Sequence, residues 1–323
     1  MHFNRASSPI GLCVFVISLL GCTHQAAAAA AGSGRPQAPS PIQNSVQFIS
    51  LASQQESLCL MTINLEHKDH PDELKVMAQT MRTTLAKLPD FILCQEVVFG
   101  RSGPDNNTAA VLARCLGYYC YGTKRSSDHE GIALISRYPF VFYDHVELAA
   151  QTSRLLLGFN RVSIMGEFIV PGAGRVRVTN VHFTNWSFES RIRRKQVHET
   201  LQWVADRDAE QPVAVNFLGG DFNAEPDSGE IDTVRQFTLP DGRRFNDFNS
   251  LEPSRGRHGH PNKRIDYIFV ASSPQQLSFA GERILFKESM LNGSSRFYLS
   301  DHVAVQHAYH LAKPLPTALL PGD

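Results

Sequence analysis

The chain has 323 residues, 42% hydrophobic and 19% charged, which is enough apolar material for a sizeable core and too little charge for a disordered chain. Formal net charge is zero; the first 44 residues hold Arg5 and Arg35 and no acid, leaving 29 Lys and Arg against 31 Asp and Glu in the rest. A coat or histone-like protein that grips nucleic acid by bulk charge is excluded, so any polyanion has to meet a local patch or a bound cation.

Residues 1–22 read as an export signal: Arg5, an apolar run over 10–20, then Gly21-Cys22. The run is about half the ~20 residues a membrane span needs. Leu19-Leu20-Gly21-Cys22 resembles a bacterial lipobox, which predicts a cell-envelope lipoprotein attached to a membrane through lipidated Cys22. Cleavage in the Ala tract at 26–31 would instead release a secreted protein. Residues 23–45, rich in Ala, Gly, Ser and Pro, read as a flexible linker. Residues 46–312 read as one α/β domain and residues 313–323 as a disordered tail.

Within the domain, residues 59–65 predict a strand. Pro71 then opens a helix with Leu74, Met77, Met81, Leu85 and Leu88 on one face, ended by Pro89. Residues 91–98 read as a buried strand, 108–116 as a short helix stopped by Gly117, and 131–136 as another strand. Residues 155–170 and 175–183 form a long hairpin around Pro171-Gly172-Ala173-Gly174. A charged helix over 188–207 follows, then strands over 213–218, 264–270 and 302–310. Strands outnumber helices and their directions are mixed, which predicts a four-layer α-β-β-α sandwich with two mixed, mainly antiparallel β-sheets. Cys59 and Cys94 fall in apolar runs and read as core; Cys115 and Cys120 could bridge in an oxidising compartment, and no cysteine has zinc spacing.

Polar residues interrupt the apolar runs at their ends: Asn64 and Glu66, Gln95-Glu96, His182, Gly219-Gly220-Asp221-Phe222-Asn223, Arg264-Ile265-Asp266-Tyr267 and Ser300-Asp301-His302. Carboxylates and carboxamides at strand ends converge on one rim of a sheet, where α/β folds place their sites. Such oxygen donors suit a hard cation, Mg²⁺ or Ca²⁺, rather than zinc. A buried Asp such as Asp266, amid Ile265, Tyr267, Ile268 and Phe269, needs a partner. Of the 13 histidines, His67, His145, His198, His307 and His310 stay unassigned.

This ordered set of motifs resembles the endonuclease/exonuclease/phosphatase superfamily over about residues 58–310, and the implied fold is the deoxyribonuclease I-like sandwich already predicted from the pattern. The resemblance implies that Asn64 and Glu96 hold a divalent metal (Mg²⁺, or Mn²⁺ or Ca²⁺), with Glu66 and Asp301 as further ligands. His302 resembles the general base, with Asp266 fixing its tautomer. Asp221 and Asn223 would position water and phosphoryl oxygens, His182 would contact phosphate, and Glu130 would orient His182. Two loops, Lys124-Arg125 and residues 255–264, would border this site, and the substrate contacts expected are Asn185, Arg257, His260 and Arg264; Trp186 could add stacking or lipid insertion.

The implied activity is hydrolysis of a phosphodiester or phosphomonoester by water, on nucleic acid or a phospholipid headgroup, by a monomer. Lys263 stands where the AP-endonuclease branch has Trp before its Arg-Leu-Asp, and the Cys-Asp-Arg of the inositol 5-phosphatases is absent. Extracellular deoxyribonuclease and sphingomyelinase or phospholipase C-type enzymes remain. The rival from another class is a non-catalytic binding lipoprotein that keeps the fold; the intact set of metal acids and base argues for the enzyme.

Overall fold

The apolar runs become the central strands. The computed structural model describes residues 56–100, 106–124, 129–149, 160–185 and 190–312. The export signal, the linker, the tail, Arg125 and Trp186 lie outside these residues. In chain order come β1 (Ser57–Asn64), α1 (Pro71–Thr84), β2 (Phe91–Val98), α2 (Thr108–Leu116), β3 (Tyr119–Lys124), β4 (Glu130–Ser136), β5 (Phe142–Glu147), β6 (Val162–Val170) and β7 (Gly174–His182). Then follow α3 (Ser190–Glu210), β8 (Val215–Asp221), α4 (Gly229–Gln236), β9 (Asn246–Asp247), β10 (Arg255–Arg257), β11 (His260–Lys263), β12 (Asp266–Ser272), β13 (Leu277–Leu285), β14 (Met290–Asn292), β15 (Ser295–Phe297) and β16 (Ala304–Leu311).

The local signals act as expected at several boundaries. Pro71 begins α1, Asp72 and Glu73 occupy its first turn, and Leu74, Met77, Ala78 and Met81 form its buried face. Asn107 caps α2 by accepting from the Ala110 N–H at 2.9 Å, and Gly117 ends it in the left-handed region, φ 74°. The predicted face of α1 runs further than the helix does. Thr83 and Thr84 turn their hydroxyls back onto the Gln79 and Thr80 carbonyls, and Leu85 is already extended. Leu88 still packs on the same core from outside the helix.

Two six-stranded sheets result, ordered β13-β16-β1-β2-β4-β3 and β5-β6-β7-β8-β12-β9. Each has one parallel pair, β1 with β2 and β7 with β8; the other pairings are antiparallel. Leu60, Phe91, Leu93, Leu134, Phe168 and Phe217 belong to the core between the sheets. A second core joins the first sheet to α1 and α2, and a third joins the other sheet to α3 and α4. This is the four-layer sandwich. Edge strands β3, β5 and β13 escape the sequence pattern because they are only half buried, and a bulge at Phe279/Gly281 breaks the alternation in β13. Among the described residues the four cysteines are free thiols, so Cys115 and Cys120 are unbridged. No described helix is long and apolar enough to cross a membrane.

Candidate active site

Strand register brings the predicted residues to one rim. Asn64 pairs with Gln95 across the parallel β1–β2 ladder. His182 pairs with Asp221 across β7–β8, and Asp221 with Asp266 across β8–β12. His302 directly precedes Val303 and β16, which lies beside β1.

Glu96 reaches the rim through a bulge. The β2–β4 register shifts between Cys94 and Val97, and Glu96 takes φ 51°, a strained value for a residue with a Cβ. The other sheet holds this bulge in place. The Asn180 side chain on β7 donates to the Cys94 and Ala133 backbone carbonyls at 3.0 and 2.8 Å, while the Gln95 amide donates to Asn180 Oδ1 at 2.7 Å. Gly220 is required where β7 and β8 approach: its φ is 137°, and a Cβ there would sit 2.1 Å from the Val181 carbonyl oxygen.

The side chains then form a connected set. Asn64 donates its amide to Glu96 Oε1 at 3.0 Å and to Asp221 Oδ2 at 3.1 Å. His302 Nδ1 lies 2.9 Å from Asp266 Oδ2, and its Nε2 lies 3.8 Å from both Asp221 Oδ2 and Asp301 Oδ1. His182 Nε2 is 3.6 Å from Asp221 Oδ2 and 3.9 Å from Glu96 Oε1. Asn223, at φ 51°, donates its backbone N–H to Asp221 Oδ1 at 2.9 Å and its amide to the Phe183 carbonyl at 3.0 Å.

Crowded acids set the electrostatics. Burial, then the Asp266 charge, raises Asp221 to about 7. Burial opposes a charged His302, but Asp266, Asp221 and Asp301 outweigh it and raise the imidazole to about 9. Burial likewise opposes ionised Glu96, yet hydrogen bonds from His67 and Asn64 hold it down to about 2. Asp301 is raised by burial and by Glu66 and Glu96.

Some expected contacts differ. Arg264 is buried and turned away from the rim: it bonds Glu282 Oε2 at 2.6 Å, the Glu252 carbonyl and Asn249, so it serves the fold and is not placed to meet substrate. A buried guanidinium needs acceptors, and Glu282, the Glu252 carbonyl and Asn249 Oδ1 serve its two terminal nitrogens, while Nε is left without a hydrogen-bond partner. Glu66 Oε2 meets His258 Nε2 at 2.9 Å and the Asp301 N–H at 3.1 Å, pinning a loop and the Asp301 backbone. Glu130 bonds His67 Nε2 at 2.5 Å, while its carboxylate still clusters with Glu96 and His182. The basic loop after Ser254 is a hairpin of β10 and β11 on which Arg257 and His260 are exposed; Lys124 and Asn185 are also exposed. His67 is the residue sequence reasoning missed. Its ring bridges Glu96 (2.9 Å) and Glu130, and nothing in its local sequence distinguishes it from the other unassigned histidines.

The donors suit a hard cation. Two groups converge among the described residues, Glu96 with Glu130 and His182, and Asp221 with Asp266 and His302, and the buried Asp266 Oδ1 has no hydrogen-bond partner. Carboxylates held this close have a natural complement in a divalent ion.

The profile of the endonuclease/exonuclease/phosphatase family matches residues 61–302. The chain belongs to this family. No curated protein matches it. The endonuclease/exonuclease/phosphatase from Bacteroides vulgatus superposes with a TM-score of 0.60 at 17% identity, covering 80% of this chain and 100% of that one. Truncated Caenorhabditis elegans TDP2 gives 0.58 at 19% identity over 79% and 98%. The human Nocturnin catalytic domain with bound sulfate gives 0.58 at 18% identity over 80% and 95%. These likenesses show the deoxyribonuclease I-like fold. Members of the family are typically hydrolases of phosphoester bonds and are generally dependent on a divalent metal.

Proposed function

We propose that this protein is a divalent-metal-dependent phosphodiesterase in which His302 is the general base. The observation that carries this reading is the pair His302 Nδ1–Asp266 Oδ2 at 2.9 Å, with the other ring nitrogen facing the acid-lined rim. Asp266 accepts the Nδ1 proton and fixes the tautomer, leaving Nε2 to take a proton from water. Asp221, itself oriented by the Asn223 N–H, and Asn223 hold that water against the phosphorus. His182, 3.6 Å from Asp221, stands beside it to donate to a phosphoryl oxygen. Glu96 and Asp301, with Asn64 beside them, would hold the metal, which when bound supplies positive charge at the non-bridging oxygens.

A polymeric substrate is supported by α3. Arg191, Arg194, Lys195 and His198 line one exposed stripe of that helix and, with Glu199 and with Thr233 of α4, a hollow of ≈ 450 Å³ in which three cations outnumber the one acid. The α3 helix begins eight residues beyond His182 on the same chain, and Arg193 ties it to α4 by bonding Glu230 at 3.1 Å. In a chain of zero net charge this is the local cationic patch a nucleic-acid backbone needs. Export remains part of the proposal, carried by the sequence of residues 1–45. Mass spectrometry of the mature N-terminus tests it, and a chain beginning elsewhere than a diacylglyceryl Cys22 ends the lipoprotein reading.

The enzymatic test is hydrolysis of bis(p-nitrophenyl) phosphate and single-stranded DNA with Mg²⁺ or with EDTA. Turnover that EDTA abolishes and that falls by about 10²–10⁴-fold in His302→Ala is expected. Absence of turnover on DNA, sphingomyelin, phosphoinositides and aryl esters alike would favour a binding protein.

A further inference from the structure

Ser254 lies in the segment before β10 and is fully buried, out of reach of solvent. Its hydroxyl donates to Asp266 Oδ2 at 2.7 Å, the same oxygen that His302 Nδ1 approaches at 2.9 Å. The hydroxyl oxygen also accepts the Ile265 and Asp266 backbone N–H groups, each at 3.1 Å. A hydroxyl has two lone pairs and one proton. With both lone pairs taken by backbone donors, its proton has one direction left, toward Asp266 Oδ2.

The backbone of the same residue holds the other partner. The Ser254 carbonyl accepts the Val303 N–H at 2.7 Å, and two residues on, the Gly256 N–H donates to the Asp301 carbonyl at 3.0 Å. These bonds bracket His302, whose backbone pairs with Arg255. Residues 254–256 thus fix the position of the imidazole, while the Ser254 side chain fixes the rotation of the carboxylate facing it. An Asp carboxylate turns broadly about its terminal torsion. Without the hydroxyl, nothing described would hold Oδ2 rather than the otherwise unbonded Oδ1 toward the ring.

We infer that Ser254 is a positioning residue that aims Asp266 at His302, so that Ser254, Asp266 and His302 act as one relay of hydrogen bonds. This rests on the reading of His302 as base, and the test separates the two. Thr keeps the hydroxyl, and Val matches Thr in shape without it. S254V is expected to lose about 10–100-fold in kcat with KM little changed, and S254T to recover most of that loss. In a D266A background S254V is expected to cost no more than about twofold, since its acceptor is gone. A second readout needs no activity: the downfield proton of the His302 ring N–H in the NMR spectrum of the metal-free protein persists in S254T and shifts upfield or exchanges away in S254V. Should the wild type hydrolyse nothing, the base assignment falls and this proton alone decides Ser254. S254A is carried in parallel in case S254V does not fold. Wild-type kcat and an unmoved ring proton in the folded variants, or an equal loss of kcat in the D266A background, would overturn the inference.

Discussion

Arg264 and Glu282 meet as a buried fork, with guanidinium and carboxylate 2.6 Å apart, one residue removed from the Ile265-Asp266 step into β12. His307 Nε2 lies 2.9 Å from the same carboxylate, and Ser250 bonds it too. The pair therefore anchors, to β13 of the other sheet, the start of the strand that presents Asp266.

Glu282→Gln should lower stability by about 3–5 kcal/mol at neutral pH, because it leaves Arg264 charged and buried. Burial opposes ionisation of Glu282, but His307 and Arg264 prevail and hold it down to about 2. A carboxyl held low stabilises the fold above its free value of about 4.3, and that contribution fades as pH falls toward 2. The gap between variant and wild type should narrow in acid. Urea unfolding at neutral pH and at about pH 3 measures it; an equal gap at both would show that Glu282 is not charged in the fold.

The rim predicts the opposite slope. Asp221, raised to about 7, and His302, raised to about 9, both favour the fold when protonated. Asp221's contribution is complete below about 3.9 and His302's below about 6.5, and each is lost as pH rises through its folded value. The metal-free protein should lose stability from about pH 6 to 9, and the rise in Tm on adding Mg²⁺ should grow over that range, since cation and protons compete. Calorimetry with EDTA and with Mg²⁺ reads both curves. A Mg²⁺ gain that shrinks with pH would contradict the site.

Asn180 joins one sheet to the bulge of the other. Asn180→Leu should remove the side-chain donor to the Cys94 and Ala133 carbonyls and one of the acceptors of the Gln95 amide, which keeps Thr62 and the Leu93 carbonyl. A loss of about 2–4 kcal/mol is expected, each buried unpaired group costing about 1–3 kcal/mol. Glu96 rides on that bulge, so Mg²⁺ affinity should fall as well. Denaturation and Mg²⁺ titration of the variant check the two effects separately; unchanged Mg²⁺ affinity would detach Glu96 from the tie.

The α3 stripe carries a prediction about substrate. Neutralising Arg191, Arg194 and Lys195 to Gln should raise KM for a single-stranded oligonucleotide about tenfold at moderate salt. It should also lower the log–log salt slope by about 2, at ~0.7 per phosphate contact on a single strand. Aryl diester hydrolysis, whose substrate is too small to reach the helix, should change less than twofold. Equal KM values for the oligonucleotide would remove α3 from the binding surface and leave a lipid or small-molecule substrate.

The rim was legible in the sequence because its residues punctuate strands. Asn64, Glu96, His182, Asp221 and Asp266 each end or begin an apolar run, and parallel and antiparallel registers carry strand ends to a common edge. Gly117 was legible for a local reason too, a backbone conformation at a helix end that other residues avoid.

What the tertiary structure alone decided is who meets whom. Arg264 sits in a basic run and reads as a substrate contact, yet it is turned inward by Glu282, 18 residues on. His67 finds Glu130 across 63 residues, Asn180 finds Cys94 across 86, and Ser254 reaches Asp266 only because a hairpin folds back between them. Local propensity and periodicity determine where a strand runs and which face it buries. The hydrogen-bond partner of a buried polar group is set by packing between layers, and no short window of sequence contains both halves of that contact.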